Sequence, residues 1–496
     1  MFSFRRRVYL DNNATTVVSP VVRKEICRVL KHCYGNPSSL YKAARESAEL
    51  LSASRKAVAG AMGASPEEVY FIGGASEALN TVIKAVSVLR PGKKIIATAL
   101  EHSAVTQTLE YLASSGTPVA MCRVGNDGKL DLNGLKTLLS AGDCSLLCCM
   151  AANNETGVMQ DIPAIAALAH SYGVLLLVDC VQVLGKKRLD VAEMGADYAV
   201  ISAHKVHGPK GIGALYVRRG APIMPLIHGG PQEGGLRAGT ESVHDIAGFA
   251  KACEGIDSMI ARSSHLAALK QRLEEGLRAL CPEMLLNSPQ QDCLPNTLNV
   301  VFPGHVNSAI MGLLDCYGVA VSAGSACNTQ ENAPSHVLLA IGRTPEEARS
   351  SIRFSLPDDA TGKDVDYTLS TLETYFRGTK RSVSMFTPAQ LDENLLLGGD
   401  IFILDVRFDY ERRGTKGLPG SWEIPFLSFT RHTGRVPKDK FILVVCQAGF
   451  NAPLVAYHLR NKGYRHVGFL LAGIVAWKRT CPELYEKYSG RDVRPL

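Results

Sequence analysis

The sequence predicts an α/β protein in two parts. The first is a large unit on a mostly parallel sheet with a small α+β companion; the second is a smaller α/β unit at the C-terminal end. Three observations carry this. As far as about residue 255, short continuous apolar runs alternate with helical stretches, the pattern of strands buried on both faces. The rhythm then changes to one long amphipathic helix and three separated strand-like runs. Finally, a polar, basic stretch without helical periodicity, RGTKRSVSMFTPAQ (377–390), reads as a linker, and beyond it strands and helices alternate again.

Taken in order, VYFIGG (69–74) precedes a helix-like SEALNTVIKAVSVL, and KKIIATAL (93–100) precedes HSAVTQTLEYLASS. SLLCCMAA (145–152) leads to PAIAALAHSYG, then VLLLVD (174–179), YAVISA (198–203) and GALYVRR (213–219). The companion unit contains HLAALKQRLEEGLRAL, then TLNVVF, VAVSAG and SIRFSL; the last unit contains FILDVR, FILVVCQ and GFLLAG. The domain reading is therefore 16–255 for the large domain, 1–15 with 256–376 for the small one, 377–390 for the linker and 391–482 for the C-terminal domain.

The 496 residues are 46% hydrophobic and 20% charged, a globular composition. A net charge of +7 without any Lys/Arg block does not point to direct nucleic-acid binding. The longest mostly apolar stretch is too short to cross a bilayer, and MFSFRRR runs straight into VYL without a signal-peptide core. Fourteen cysteines are spread out with no CxxC, so a reducing, cytoplasmic setting is expected and no metal site.

In an open α/β sheet, ligands bind beyond the carboxyl ends of the strands. The residues found there are Gly74, Ala75 and Ser76 in a small-residue turn opening a helix, then His102, Asn153–Asn154, Asp179 with Gln182, and His204–Lys205. A turn able to receive phosphate, a carboxylate, an imidazole, an amide and a lysine together form the inventory of a pyridoxal phosphate (PLP) site. Asp179 suits the pyridine nitrogen, and Lys205 the Schiff base, with Lys210 as competitor. His102 suits the ring face and acid/base work; Asn154 and Gln182 suit the phenolic oxygen.

LDNNATT (10–16), YGNPSS (34–39), GGASEALN (73–80), EHSAV (101–105), NNETG (153–157), VDCVQ (178–182), SAHKVHGPKG (202–211), GLRAGTESV (235–243), SAGSACN (322–328) and SIRFSL (351–356) together resemble the cysteine desulfurases. These are class V aminotransferase-like enzymes of PLP fold-type I, with a seven-stranded, mostly parallel sheet. The resemblance implies that Lys205 is the Schiff-base lysine, Asp179 pairs with the pyridine nitrogen and His102 stacks on the ring. It also implies that Ser76, Ser202 and His204 hold the phosphate, and that Thr240 reaches the cofactor of the other subunit of a homodimer. Arg353 would clamp the carboxylate of L-cysteine, with Asn36 nearby. Cys327, in the polar segment SAGSACNTQENAPSH, would be the nucleophile that takes the sulfur as a persulfide, as in the NifS/IscS-like group.

Residues from about 386 to 482 resemble a single rhodanese domain, through FILDVRFDYERRGTKGLPGSWEIPF (402–426) and LLAGIVAWK (470–478). Cys446 opens the loop CQAGFNA before a helix, where successive N–H groups should lower its pKa. The Arg common in active rhodanese loops is replaced by Asn451, with Ala452 next, so an anionic sulfur donor is poorly served. The expected function is conversion of L-cysteine to alanine with a persulfide on Cys327, and transfer of its sulfur to Cys446. From there it would pass to acceptor proteins such as an iron–sulfur scaffold or thiolation proteins. The alternatives are a selenocysteine lyase, or a desulfurase whose rhodanese unit only docks acceptors.

Overall fold

The structure, a computed structural model, describes residues 6–324, 334–376, 383–398, 400–490 and 494–495. The large domain is built on a seven-stranded sheet. Its order is Val69–Ile72, Gly213–Val217, Tyr198–Ser202, Leu175–Asp179, Cys144–Met150, Lys94–Thr98 and Val119–Cys122. Gly213–Val217 runs antiparallel to both neighbours, and every other adjacent pair is parallel. Alternate side chains of one strand feed two separate cores, as the period of a strand requires. Leu147 and Cys149 enter one core with Leu176 and Val178, while Leu146 and Cys148 enter the other with Leu175 and Leu177. The adjacent cysteines are thus packing residues; burial pushes both thiols well up.

The small domain pairs Ser351–Ser355 and Leu285–Leu286 antiparallel with Thr297–Val301, and Val8–Tyr9 parallel with Val319–Ala320. The long helix Ser263–Leu280 presents Leu266, Leu269, Leu273 and Leu277 to this core at helical spacing.

The C-terminal domain is a parallel sheet in the order Ser384–Phe386, Val467–Leu470, Phe441–Val445, Ile401–Asp405, Trp422–Glu423 and Arg494–Pro495. Here the expected linker, 377–390, needs correcting. Its second half adds an edge strand, Ser384–Phe386, to the sheet, so the domain starts before 391. Exposed Ser384 and Met385 on an edge leave no apolar run to read.

The two parts are packed together. Helix Asn307–Cys316 of the small domain meets Asn451–Asn461, the helix that follows Cys446. Ala309 lies in the C-terminal domain's core, and Tyr317 donates to Asn461 Oδ1 at 3.1 Å. Gly312 is required at the contact, because a Cβ there would lie 2.4 Å from Pro453 Cβ. No helix among the described residues is long and apolar enough to cross a membrane.

Candidate active site

The carboxyl ends of the large sheet open into a cavity of about 480 Å³. Asp179 and Ser202 are the last residues of their strands, and Lys205 follows Ser202 within one tight turn, Ala203–Lys205. His102 caps the helix Ser103–Ser114, and Asn154 sits beyond Cys144–Met150. Gly74, Ala75 and Ser76 open the helix Ala75–Leu89, whose dipole and first N–H groups favour an anion. Gly74 has φ of +143°, a conformation that only glycine adopts easily. All of these residues line the one cavity, together with His204, Gln182, Lys210 and Arg353.

The electrostatics follow from burial. Asp179 accepts from Val181 N at 3.0 Å, and burial raises its pKa against the opposing pull of His102 and Lys205. His102 is pushed down by burial, and its Nδ1 accepts from Ala104 N at 3.1 Å. A backbone N–H can only donate, so the neutral ring carries its proton on Nε2. His204 is lowered to about 4, by burial first and then by Lys205 and Lys210, and is neutral at pH 7. The Lys205 amine donates to the carbonyls of Asn13 at 2.5 Å and Ala14 at 2.9 Å.

Arg353 is 1% exposed. It donates to Asn154 O at 3.0 Å and to Asp11 Oδ1 at 2.7 Å, and its buried Nε has no partner among the described residues. The sequence reading missed Asp11 and Asn13, although both stand in LDNNATT. Asn13 ties the small domain to the site through Thr297 Oγ1 at 2.8 Å and Asn154 O at 3.1 Å.

Two expectations fail in the chain as it stands. Asn36 does not lie beside Arg353. It is exposed, its Oδ1 caps its own turn by accepting from Ser38 N at 3.0 Å, and it lines a separate hollow with Thr240. Cys446 does not have the lowered pKa expected of its loop. The N–H groups of Ala452, Asn451 and Gly449 pull it down, but the thiol is 1% exposed and burial prevails, raising it. Ala452 N donates to its Sγ at 3.3 Å. Cys327 lies outside the described residues.

Residues 8–368 match the family model described as aminotransferase class-V, and 387–480 the rhodanese-like domain. A cysteine desulfurase IscS of Dictyoglomus turgidum is 39% identical over 74% of this chain and 94% of its own. A cysteine desulfurase of Trichormus azollae is 40% identical over 72% and 90%. A solved NifS-like protein superposes with a TM-score of 0.71 at 37% identity, covering 75% of this chain and all of the other. Another, from Rickettsia africae, gives 0.69 at 30% identity with the same coverage. The chain thus belongs to the class-V aminotransferase family, whose enzymes use PLP. Within that family it is a cysteine desulfurase, and it carries a rhodanese-like domain behind the desulfurase part.

Proposed function

We propose that the cavity binds PLP and desulfurates L-cysteine, with the sulfur passing to Cys327 and then to Cys446. The observation that carries this is the meeting of Asp179, His102, Lys205 and a glycine-opened helix N-terminus around one cavity. The donor set fits PLP. A buried carboxylate whose pKa is raised calls for a cationic N–H, and the helix N-terminus with Ser76, Ser202 and His204 offers donors to a phosphate.

When bound, PLP supplies an electron sink for the substrate's α-carbon. Asp179 would accept a hydrogen bond from the ring nitrogen, His102 would cover a ring face, and Asn154 and Gln182 would serve the phenolic oxygen. Lys205 would hold the aldehyde, and its amine would take and return the α-proton of the substrate. Arg353 binds the substrate carboxylate while Asp11 holds it in place. The Cys327 thiolate attacks the substrate sulfur; the carbon–sulfur bond breaks with its electron pair going to carbon, and protonation gives alanine. Cys446 thiolate then attacks the outer sulfur of that persulfide and releases Cys327 as thiolate, which needs no oxidant. The second subunit of a homodimer would bring Thr240 to the phosphate.

The burial of Cys446 favours a second reading, a rhodanese unit that docks acceptors without carrying sulfur. Radioactive sulfur from cysteine separates the two: label on both Cys327 and Cys446 supports the relay, and label confined to Cys327 ends it. The visible cofactor band should vanish in Lys205→Ala. In Cys327→Ser the band should survive while sulfide release stops; unchanged sulfide release would remove Cys327 from the mechanism.

A further inference from the structure

The turn after the Asp179 strand buries a lysine that the chemistry above does not employ. Lys186 is 8% exposed, and its side-chain nitrogen donates to two atoms of a single residue, Gln182. It reaches the backbone carbonyl at 3.1 Å and Oε1 at 2.7 Å, and neither partner is a carboxylate. The other end of the same amide, Nε2, donates to Asn13 O at 3.0 Å. That carbonyl also receives the Lys205 amine at 2.5 Å. A carbonyl can only accept, so the orientation of the Gln182 amide is set by its partners at both ends. Burial, with help from the charges of Lys205 and Arg353, lowers the Lys186 amine to about 7, so keeping it here is costly.

We propose that Lys186 is a positioning residue: by occupying Gln182 Oε1 it keeps the N–H end of that amide presented to the cavity as a donor for the phenolic oxygen of PLP. An amide free to turn over would set its oxygen against the ligand's oxygen, and would leave a buried acceptor unpaired. With Lys186 in place, turning the amide over breaks the bonds at both ends. The side chains of Gln182 and Lys205 thereby meet at the main-chain carbonyl of Asn13, and Lys186 joins them through the Gln182 amide. The inference rests on the cofactor reading and deepens it.

PLP titrated into the apoprotein tests it. Lys186→Met should weaken PLP binding about five- to tenfold, one hydrogen bond's worth, and shift the absorbance maximum of the bound cofactor. Gln182→Ala should do the same, and the double variant should bind no more weakly than Gln182→Ala alone. Penalties that multiply in the double variant, or unaltered binding in Lys186→Met, would overturn the proposal. Should Lys186→Met fail to fold, Gln182→Glu decides, since a carboxylate keeps the lysine contact but offers only acceptors. Binding should then fall about a hundredfold or more; undiminished binding would overturn the proposal. Wild-type protein that takes up no PLP would instead overturn the cofactor reading and this inference with it.

Discussion

Replacing Asp405 by Asn should sharply lower the stability of the C-terminal domain while leaving that of the desulfurase part unchanged. Asp405 is 0% exposed and Arg407 1%, so their ion pair is closed to water. Arg407 Nε reaches the two carboxylate oxygens at 3.1 and 3.0 Å, its terminal nitrogen reaches Oδ2 at 2.7 Å, and its backbone N–H reaches Oδ1 at 3.1 Å. The neutral amide leaves a buried guanidinium without its counter-charge, a loss of about 3–5 kcal/mol. That is a large part of the roughly 5–15 kcal/mol that holds a domain together. At about 1–3 kcal/mol per molar urea, the unfolding midpoint should fall by roughly 1–5 M. The assay is built into the sequence: the chain's 2 tryptophans, Trp422 and Trp477, both lie in this domain, so their emission follows its unfolding alone. Alanine production with a small thiol acceptor should persist beyond the fluorescence transition. Asp405→Leu with Arg407→Met removes both charges and should recover much of the loss. A midpoint shift under about 0.5 M, or a double variant as weak as the single one, would refute the argument.

Arg353→Lys should raise KM for cysteine about ten- to a hundredfold with a smaller effect on kcat, because lysine cannot replace a planar fork; an unchanged KM would detach Arg353 from the substrate. Burial pushes His207 down, but the Asp358 carboxylate 3.0 Å away outweighs it and leaves the ring raised, while that bond lowers Asp358. The histidine contribution is complete below about 6.5 and lost as pH rises through the higher folded value; the aspartate contribution is present above about 4 and lost in acid. Wild type should therefore exceed Asp358→Asn in unfolding midpoint most between those limits, with the Arg262 contact at 3.5 Å remaining in alkali, and a pH-independent gap would refute this. Gly312→Leu, starting from a Cβ 2.4 Å from Pro453 where about 3.5–4.0 Å is ordinary contact, should part the two helices and speed hydrogen exchange in both. Unaltered exchange would mean that the two domains do not hold each other there.

The large sheet was legible because its strands are buried on both faces and read as unbroken apolar runs; LLCC and LLLV admit few other roles. Val119–Cys122 escaped because it is an edge strand with half-exposed side chains and an exposed Met121, so no such run marks it. The cavity followed from the rule about strand ends, which named Asp179, His102 and Lys205. Partners were less visible. Asp11, Asn13 and Lys186 come from the N-terminal segment and from a turn, and contacts such as Asn13 to Thr297 join residues 284 positions apart. No local pattern encodes such a meeting. Asn36 lines a different hollow of this chain, beside Thr240, with its side chain satisfied two residues on by its own turn.

Cys446 exposes the limit of reasoning from loop geometry alone. The N–H groups that should acidify it are in place, and Gly449, at φ of +88°, approaches Ala472 too closely for any side chain. What the sequence hides is the cost of burying a thiolate, which here outweighs those dipoles. Arg407 does reach the loop, at 3.4 Å from Gln447 Oε1, but its charge is spoken for by Asp405 and cannot stand in for the missing loop arginine. A thiol so placed attacks slowly until it is uncovered, so transfer from Cys327 would be paced by opening of the 446–452 loop rather than by bond exchange. Alkylation of Cys446 should then speed up with mild denaturant far more than with rising pH. A rate that tracks pH alone would show that the thiol is already open to its partner.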